Sequence, residues 1–330
     1  MENKPQFDFI AIGDTVIDAF IRLSAGHIQE TAHGRELCIP YGMKVPFDEA
    51  YILPAVGNSA NAAVSASRLG LKSALITSLG KDAHGNECLA QLTKENISTE
   101  FIRQEEGKKT NYHYVLWHGD DRTILIKHEQ FTPVIPEIGN PKWLYLSSLG
   151  GHTLPFHYEL IEFVQSHPEV KLAFQPGTFQ LGFGSEILEL YKNTEVVCMN
   201  KEEAEGLLSS EGSPIKDLLD GLSNLGPKVS IVTDGPHGAY MKHDNTYFSM
   251  PLYPDIAPPL ERTGAGDAFF STFIAYMAKG YDAPYAMKRA PINSMNVVQH
   301  IGAQEGLLTE EKIEEFLKKA PKEYELTIMQ

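Results

Sequence analysis

LERTGAGDAFFSTFIAYM, residues 260–277, sets two glycines and an aspartate directly against a strongly apolar run. Glycine is a poor helix former, yet here it stands where a helix should begin. From Asp267 onward Phe270, Phe273, Ile274 and Met277 recur at helical spacing, so one face of the helix belongs in a core. Gly264-Ala265-Gly266 then reads as a turn whose bare backbone can approach a ligand and whose free N–H groups point outward. An exposed helix N-terminus favours an anion by only about 0.3–1 kcal/mol, so firm phosphate holding needs those converging amides as well. Asp267 fits two roles: a first-turn cap, or a carboxylate beside an anion pocket. Phosphoryl transfer to a hydroxyl needs the second arrangement. Amides there stabilise the moving phosphoryl, and a carboxylate accepts the hydroxyl proton.

The chain has 330 residues, a net charge of −15 and a pI near 5.2. Such a surface repels nucleic-acid phosphates and anionic lipid, so neither a nucleic acid nor a membrane is expected as partner. An anionic nucleotide would need a divalent cation and local donors to overcome that field. Cys38, Cys88 and Cys198 lie far apart, form no metal-binding spacing, and suit a reducing cytoplasm. The opening MENKPQFDFIAIGD lacks the basic start and apolar run of a signal peptide. No apolar stretch is long enough for a membrane span.

FDFIAIG (7–13) reads as a short buried strand ending in a turn. KSALITSLG, KWLYLSSLG, KLAFQPG, EVVCMN and VSIVTDG follow as further strands, separated by helical segments such as YELIEFVQSH and KEEAEGLLS. Alternation of this kind predicts an α/β fold, a doubly wound and mostly parallel sheet with helices on both faces. Ligands bind such sheets at the carboxyl ends of the strands. Two β-rich pieces interrupt the pattern, at about 20–52 and 110–128. The second has two arms around the turn His118-Gly119-Asp120-Asp121. They are expected to meet as a small lid on a single domain spanning 1–330.

ERTGAGDAF resembles the C-terminal motif of the PfkB (ribokinase-like) carbohydrate and nucleoside kinases. AVGNSANAAVSASRLGLKSALITSLGKDAHGNECLAQL (55–92) is similar to the family's N-terminal motif, and the likeness runs from IAIGDTVIDAF (10–20) to IGAQEGLL (301–308). The resemblance implies a ribokinase-like fold and transfer of the γ-phosphoryl of ATP, with Mg²⁺, to a hydroxyl of a small sugar. A nucleoside is the alternative acceptor. It assigns Asp267 as general base and Gly264, Ala265 and Gly266 as anion hole. Asp18, placed at the end of the first strand, Gly57 and Asn61 match acceptor-binding positions. Asn200 and Glu203 match the NxxE pair that orders magnesium and phosphate; read without the family they are an N-cap and its capping-box partner. Thr233, Gly235 and Gly238 match the nucleotide loop, with Arg262 on phosphate and Asn293 near adenine as further candidates.

Departures from the family pattern sharpen several expectations. Glu261-Arg262 replaces the common Asp-Thr, so Glu261 is the candidate for a monovalent cation such as K⁺. Pro291 stands where many members carry asparagine. Val16 replaces a polar sugar contact and counts against ribose. Tyr41, Phe47, Tyr51, Tyr112, Tyr114 and Trp117 either stack on a nucleobase or form lid core and a dimer seam. No Arg/Lys cluster stands out among Arg35, Lys44 and Arg122, so a neutral acceptor is expected. A catalytically silent nucleotide-binding regulator would have lost the base or the anion hole, and both are present. A dinucleotide-dependent oxidoreductase lacks its GxGxxG after the first strand.

Overall fold

Strands such as FIAI and WLYL have every residue buried, which requires cover on both faces. The computed structural model describes residues 7–32, 34–119 and 121–329, so Asp120 of the expected turn lies outside the described residues. In chain order the strands are β1 (Phe9–Ile12), β2 (Val16–Arg22), β3 (His27–Thr31), β4 (Gly34–Cys38), β5 (Glu49–Val56), β6 (Ser73–Gly80), β7 (Ile102–Glu105) and β8 (Asn111–His118). Then come β9 (Asp121–Leu125), β10 (Trp143–Leu146), β11 (Lys171–Phe174), β12 (Val196–Asn200), β13 (Val229–Thr233), β14 (Ala239–His243), β15 (Thr246–Met250) and β16 (Thr327–Ile328).

Among the described residues, ten strands form one sheet in the order β16-β15-β14-β13-β12-β11-β10-β1-β6-β7. Pairs from β13 across to β7 are parallel, and β14, β15 and β16 add an antiparallel edge. Alternate side chains feed two cores. Phe9, Trp143, Tyr145 and Cys198 pack with the helices Asn58–Arg68 and Ala265–Ala278, while Ile10, Leu144, Phe174 and Met199 pack with Leu154–Ser166 and Ile215–Asn224. The fold is the expected α/β arrangement with helices on both faces. No helix among the described residues is long and apolar enough to cross a membrane.

A second sheet has the order β5-β2-β8-β9, and β3–β4 forms a separate hairpin. Its two middle strands, β2 and β8, run parallel, from Val16 opposite Asn111 to Arg22 opposite Trp117; β8 lies in the expected 110–128 piece, whereas β2 begins at Val16, before the expected 20–52 piece. This changes the address of Asp18. The sequence places it at the end of the first strand, but β1 stops at Ile12 and Asp18 lies within β2 of the small sheet. The break falls at Gly13, where a Cβ would lie 2.7 Å from Ser147 Oγ. The chain passes there from one sheet to the other.

Asp82 ties the two sheets. Its Oδ1 accepts from Gly85 N and Thr110 Oγ1, both at 2.7 Å, and its Oδ2 from Thr110 N at 3.0 Å. It thus caps the helix Ala83–Lys94 and anchors the residue before β8. Burial alone would raise its carboxyl, but these bonds outweigh burial and hold it below the usual value. Asp82→Ala is expected to lower stability by about 1–3 kcal/mol in denaturant titration. Because the folded-state value is depressed, the contribution is present above the ordinary value of 3.8 and fades as pH falls below it. The gap between variant and parent should therefore narrow at low pH.

Candidate active site

At the carboxyl end of the parallel strands the two helix N-termini at Asn58 and Ala265 face a cleft of about 400 Å³, with Asp18 and His113 of the small sheet in its wall. Gly57, Asn61, Arg262 and the run Gly264 to Asp267 line the same cleft. The expected acceptor residues and the expected base are thus brought together.

Asp267 is 6 % exposed. Its Oδ1 accepts from Asn58 Nδ2 at 2.7 Å and from Gln175 Nε2 at 3.3 Å, and its Oδ2 accepts from Asn61 Nδ2 at 2.8 Å. These bonds run to other elements rather than into its own helix. Gly264 stands at the N-cap, in the left-handed region at φ 79°. Burial pushes the Asp267 carboxyl above its usual range, and the bonds from Asn61, Asn58 and Gln175 only partly oppose it.

The far wall carries two imidazole–carboxylate contacts. His113 Nδ1 is 3.4 Å from Asp18 Oδ1, His128 Nδ1 is 3.6 Å from Asp14 Oδ2, and the two rings are 5.3 Å apart. Burial lifts Asp14 to about 6 against the pull of His152, the Gly150 amide and His113. Burial also lowers His128, helped by the neighbouring His113 and His152. Around this cleft Asp18 Oδ1, His113 Nε2, His128 Nδ1, Arg122 Nε and Thr263 Oγ1 are buried without a hydrogen-bond partner. Buried polar atoms are normally paired; here Asp18 Oδ1 and His128 Nδ1 have only the longer imidazole–carboxylate contacts, and the other three atoms have no such contact.

A second cleft, of about 140 Å³, opens on the other side of the Gly-rich turn. Thr233, Gly235 and Gly238 line it together with apolar Leu252, Phe269 and Pro291. Ala265 and Gly266 line both clefts, so the turn stands between them. Asn200 and Glu203 lie at the end of β12 and form the full capping box: Asn200 Oδ1 accepts from Glu203 N at 2.8 Å, and Asn200 N donates to Glu203 Oε2 at 2.9 Å. Burial raises Glu203 against the bond from the Asn200 amide, with the charges of Glu202 and Asp267 adding to the rise.

Several expected residues are placed differently. Asn293 is fully buried, donating to Thr272 Oγ1 at 2.7 Å and accepting from Leu308 N at 2.9 Å. It braces helices rather than facing the second cleft, which its neighbours Pro291 and Ser294 line instead. Glu261 is 4 % exposed, and its two oxygens accept from Thr263 N at 2.6 Å and Gly302 N at 2.8 Å. Its carboxylate ties the Gly-rich turn to a neighbouring loop. None of the six flagged aromatics lines the first cleft. Tyr112 and Tyr114 alternate with His113 along β8 and so point to the opposite face, and Trp117 is covered by Arg22 at 5.2 Å.

Sequence reasoning passed over Asn58, Gln175, Asp14, His113 and His128. Asp14 and Gln175 each follow a short apolar strand, at the end where ligands bind, and that was a usable signal. The two histidines carried none, because only the β2–β8 pairing brings His113 beside Asp18.

A family model described as pfkB family carbohydrate kinase matches residues 54–310. The 5-dehydro-2-deoxygluconokinase of Bacillus subtilis is 22% identical over 96% of this chain and 97% of its own length. The nucleoside kinase of Methanocaldococcus jannaschii superposes with a TM-score of 0.76 at 19% identity, covering 96% of this chain and 100% of its own. Arabidopsis thaliana ribokinase, solved with ribose and ATP, gives 0.77 at 18% identity, covering 95% of this chain and 99% of its own.

The two glycines of the turn should respond oppositely to alanine. At Gly264 a Cβ would meet Ala303 Cβ at 2.2 Å and Cα at 2.7 Å, at a positive φ. Gly264→Ala is expected to cost about 2 kcal/mol or more. At Gly266 the nearest atom to an added Cβ is Gln175 Nε2 at 3.7 Å. Gly266→Ala, in helical backbone, should hold stability or raise it by up to about 1 kcal/mol. Chemical denaturation of both variants checks the contrast.

Proposed function

The chain belongs to the pfkB family of carbohydrate kinases, and on that premise we propose that it transfers the γ-phosphoryl group of ATP to a hydroxyl of a small sugar. One observation carries the reading. The buried carboxylate of Asp267 directly follows a turn that is common wall to a polar cleft and a more apolar one. The polar cleft takes the acceptor, and the apolar cleft with Thr233, Gly235 and Gly238 takes the nucleotide.

The acceptor hydroxyl gives its proton to Asp267 as its oxygen bonds to the γ-phosphorus. The bond from that phosphorus to the bridging oxygen breaks, and ADP leaves with the electron pair. Amides of Gly264, Ala265 and Gly266 hold the charge on the moving group, with Arg262 beside them. Asp18 and Gly57 orient the acceptor; Asn61 acts through its bond to Asp267. The small sheet serves as a lid that excludes water. Among the described residues no group of three His, Cys, Asp or Glu side chains is placed to hold a metal. Magnesium would come with the nucleotide's phosphates, with Glu203 acting on it indirectly, and there it would neutralise charge.

The unpartnered polar atoms and the lack of a flagged aromatic in the first cleft favour a sugar over a nucleoside. Unpartnered Arg122 Nε makes acid-bearing sugars worth including beside neutral ones. The three cysteines are free, and we place the activity in the reducing cytoplasm. The outer face of the small sheet presents a cross-strand row Ile52-Ala19-Tyr114-Leu125, with Ile52 59 % and Leu125 51 % exposed. We propose a second copy of the chain as its cover.

Consumption of ATP with Mg²⁺ over ribose, fructose, gluconate, a sugar phosphate and adenosine tests the kinase against a silent regulator. Running it in K⁺ and in Na⁺ tests a cation role at Glu261. Asp267→Asn should lower kcat by about 10²–10⁴-fold with little change in KM for ATP. Near-normal turnover would remove Asp267 from the role. Because its carboxyl is raised and must be ionised to act, turnover should fall on the acid side at a pH above the ordinary 3.8. Leu125→Arg should convert a dimer to monomer by sizing chromatography; a parent chain that elutes only as monomer would sink the dimer.

A further inference from the structure

Asp267 receives three amide donors, and two of those amides are themselves held by a second hydrogen bond. On one side Gln304 Nε2 donates to Ala55 O at 2.7 Å and to Asn61 Oδ1 at 3.0 Å. A backbone carbonyl can only accept, so the nitrogen end of Gln304 is fixed. Asn61 must then offer its oxygen to Gln304 and its nitrogen to Asp267. On the other side the Tyr145 hydroxyl donates to Gln175 Oε1 while Gln175 Nε2 donates to Asp267, so hydroxyl and carboxylate together hold this amide. Tyr145 is fully buried between Phe9 and Phe270, at ring distances of 5.4 and 5.2 Å, and Gln304 is 8 % exposed. If either amide turned over, it would set a carbonyl oxygen against the carboxylate.

A carboxylate has about four lone-pair sites, two on each oxygen. Asn58 and Gln175 occupy both sites on Oδ1, and Asn61 occupies one on Oδ2. We infer that Tyr145 and Gln304 are positioning residues that hold the Gln175 and Asn61 amides on Asp267 and leave its Oδ2 as the oxygen that takes the acceptor's proton. This rests on the reading of Asp267 as the base. Neither residue touches the acceptor. Gln304 works by keeping an N–H, rather than a C=O, of Asn61 against the carboxylate, and Tyr145 by holding the Gln175 amide within reach of it; both favour the ionised form.

Tyr145→Phe keeps the buried ring and removes the hydroxyl. Gln304→Met keeps the volume and removes the donor. In protein labelled with ¹³C at the aspartate side-chain carboxyl, the Asp267 signal is identified by its loss in Asp267→Asn, and its titration needs no acceptor. With an amide free to turn, the ionised form loses support, so the midpoint should rise by about 0.5–1 pH unit in each variant. With whichever of ribose, fructose, gluconate or adenosine is turned over, kcat should fall about 3- to 10-fold. KM for ATP should hold, and the acid limb should move to higher pH. A variant that loses thermal stability while the Asp267 midpoint stays put overturns the inference, since a packing role alone would do that. Failure of the kinase reading would show elsewhere, as turnover retained in Asp267→Asn or absent from the parent chain on every acceptor.

Discussion

An ionised carboxylate taken out of water must be paired or hydrogen-bonded, or it neutralises. Asp267 meets that demand with amides drawn from distant parts of the chain: Asn58 and Asn61 on one helix, and Gln175 just after β11. Those donors converge only if the two helices pack side by side over the sheet and β11 ends level with their N-termini. Burial and ligation pull the carboxyl in opposite directions, and burial prevails. The result is a group more basic than an exposed aspartate, while its three amide donors still favour its charged form.

The rest of the architecture serves that point. Parallel strands aim their carboxyl ends at one edge, and the Gly-rich turn sits where that edge meets a helix. The small sheet then brings Asp18 and His113 from the other side. Asp82 holds the start of β8 to the large sheet, so the two halves of the polar cleft share one anchor. Glu261 holds the Gly-rich turn to Gly302. In both places a carboxylate binds backbone amides, a bond that depends on loop geometry; at Asp82 the Thr110 hydroxyl adds to it.

Local pattern made the large sheet and its flanking helices legible, because short apolar strands and amphipathic helices announce themselves by period. The turn at Gly264–Gly266 was legible for the same reason: poor helix formers stood before an evident helix. Asp18 was identified but misplaced, since nothing in IAIGDTVIDAF marks Gly13 as a crossing between sheets. Asn293 and Glu261 were singled out by position in a pattern, and burial gave their side chains other partners. Gln175, His113 and His128 were not legible, because their roles exist only through pairings across long stretches of chain. The orientation of an amide such as Asn61 is farther still from sequence, depending on Gln304 243 residues away.

Ala265 and Gly266 form a common boundary between the polar and the apolar cleft. The boundary is backbone, and Gly266 has no side chain to screen one cleft from the other. A single synthetic molecule could therefore occupy both, joined by a linker that crosses at Gly266. Binding its first half would hold the second at high effective concentration, so modest affinities at each end would combine. The linker would have to be short and carry negative charge to meet the amides of the turn.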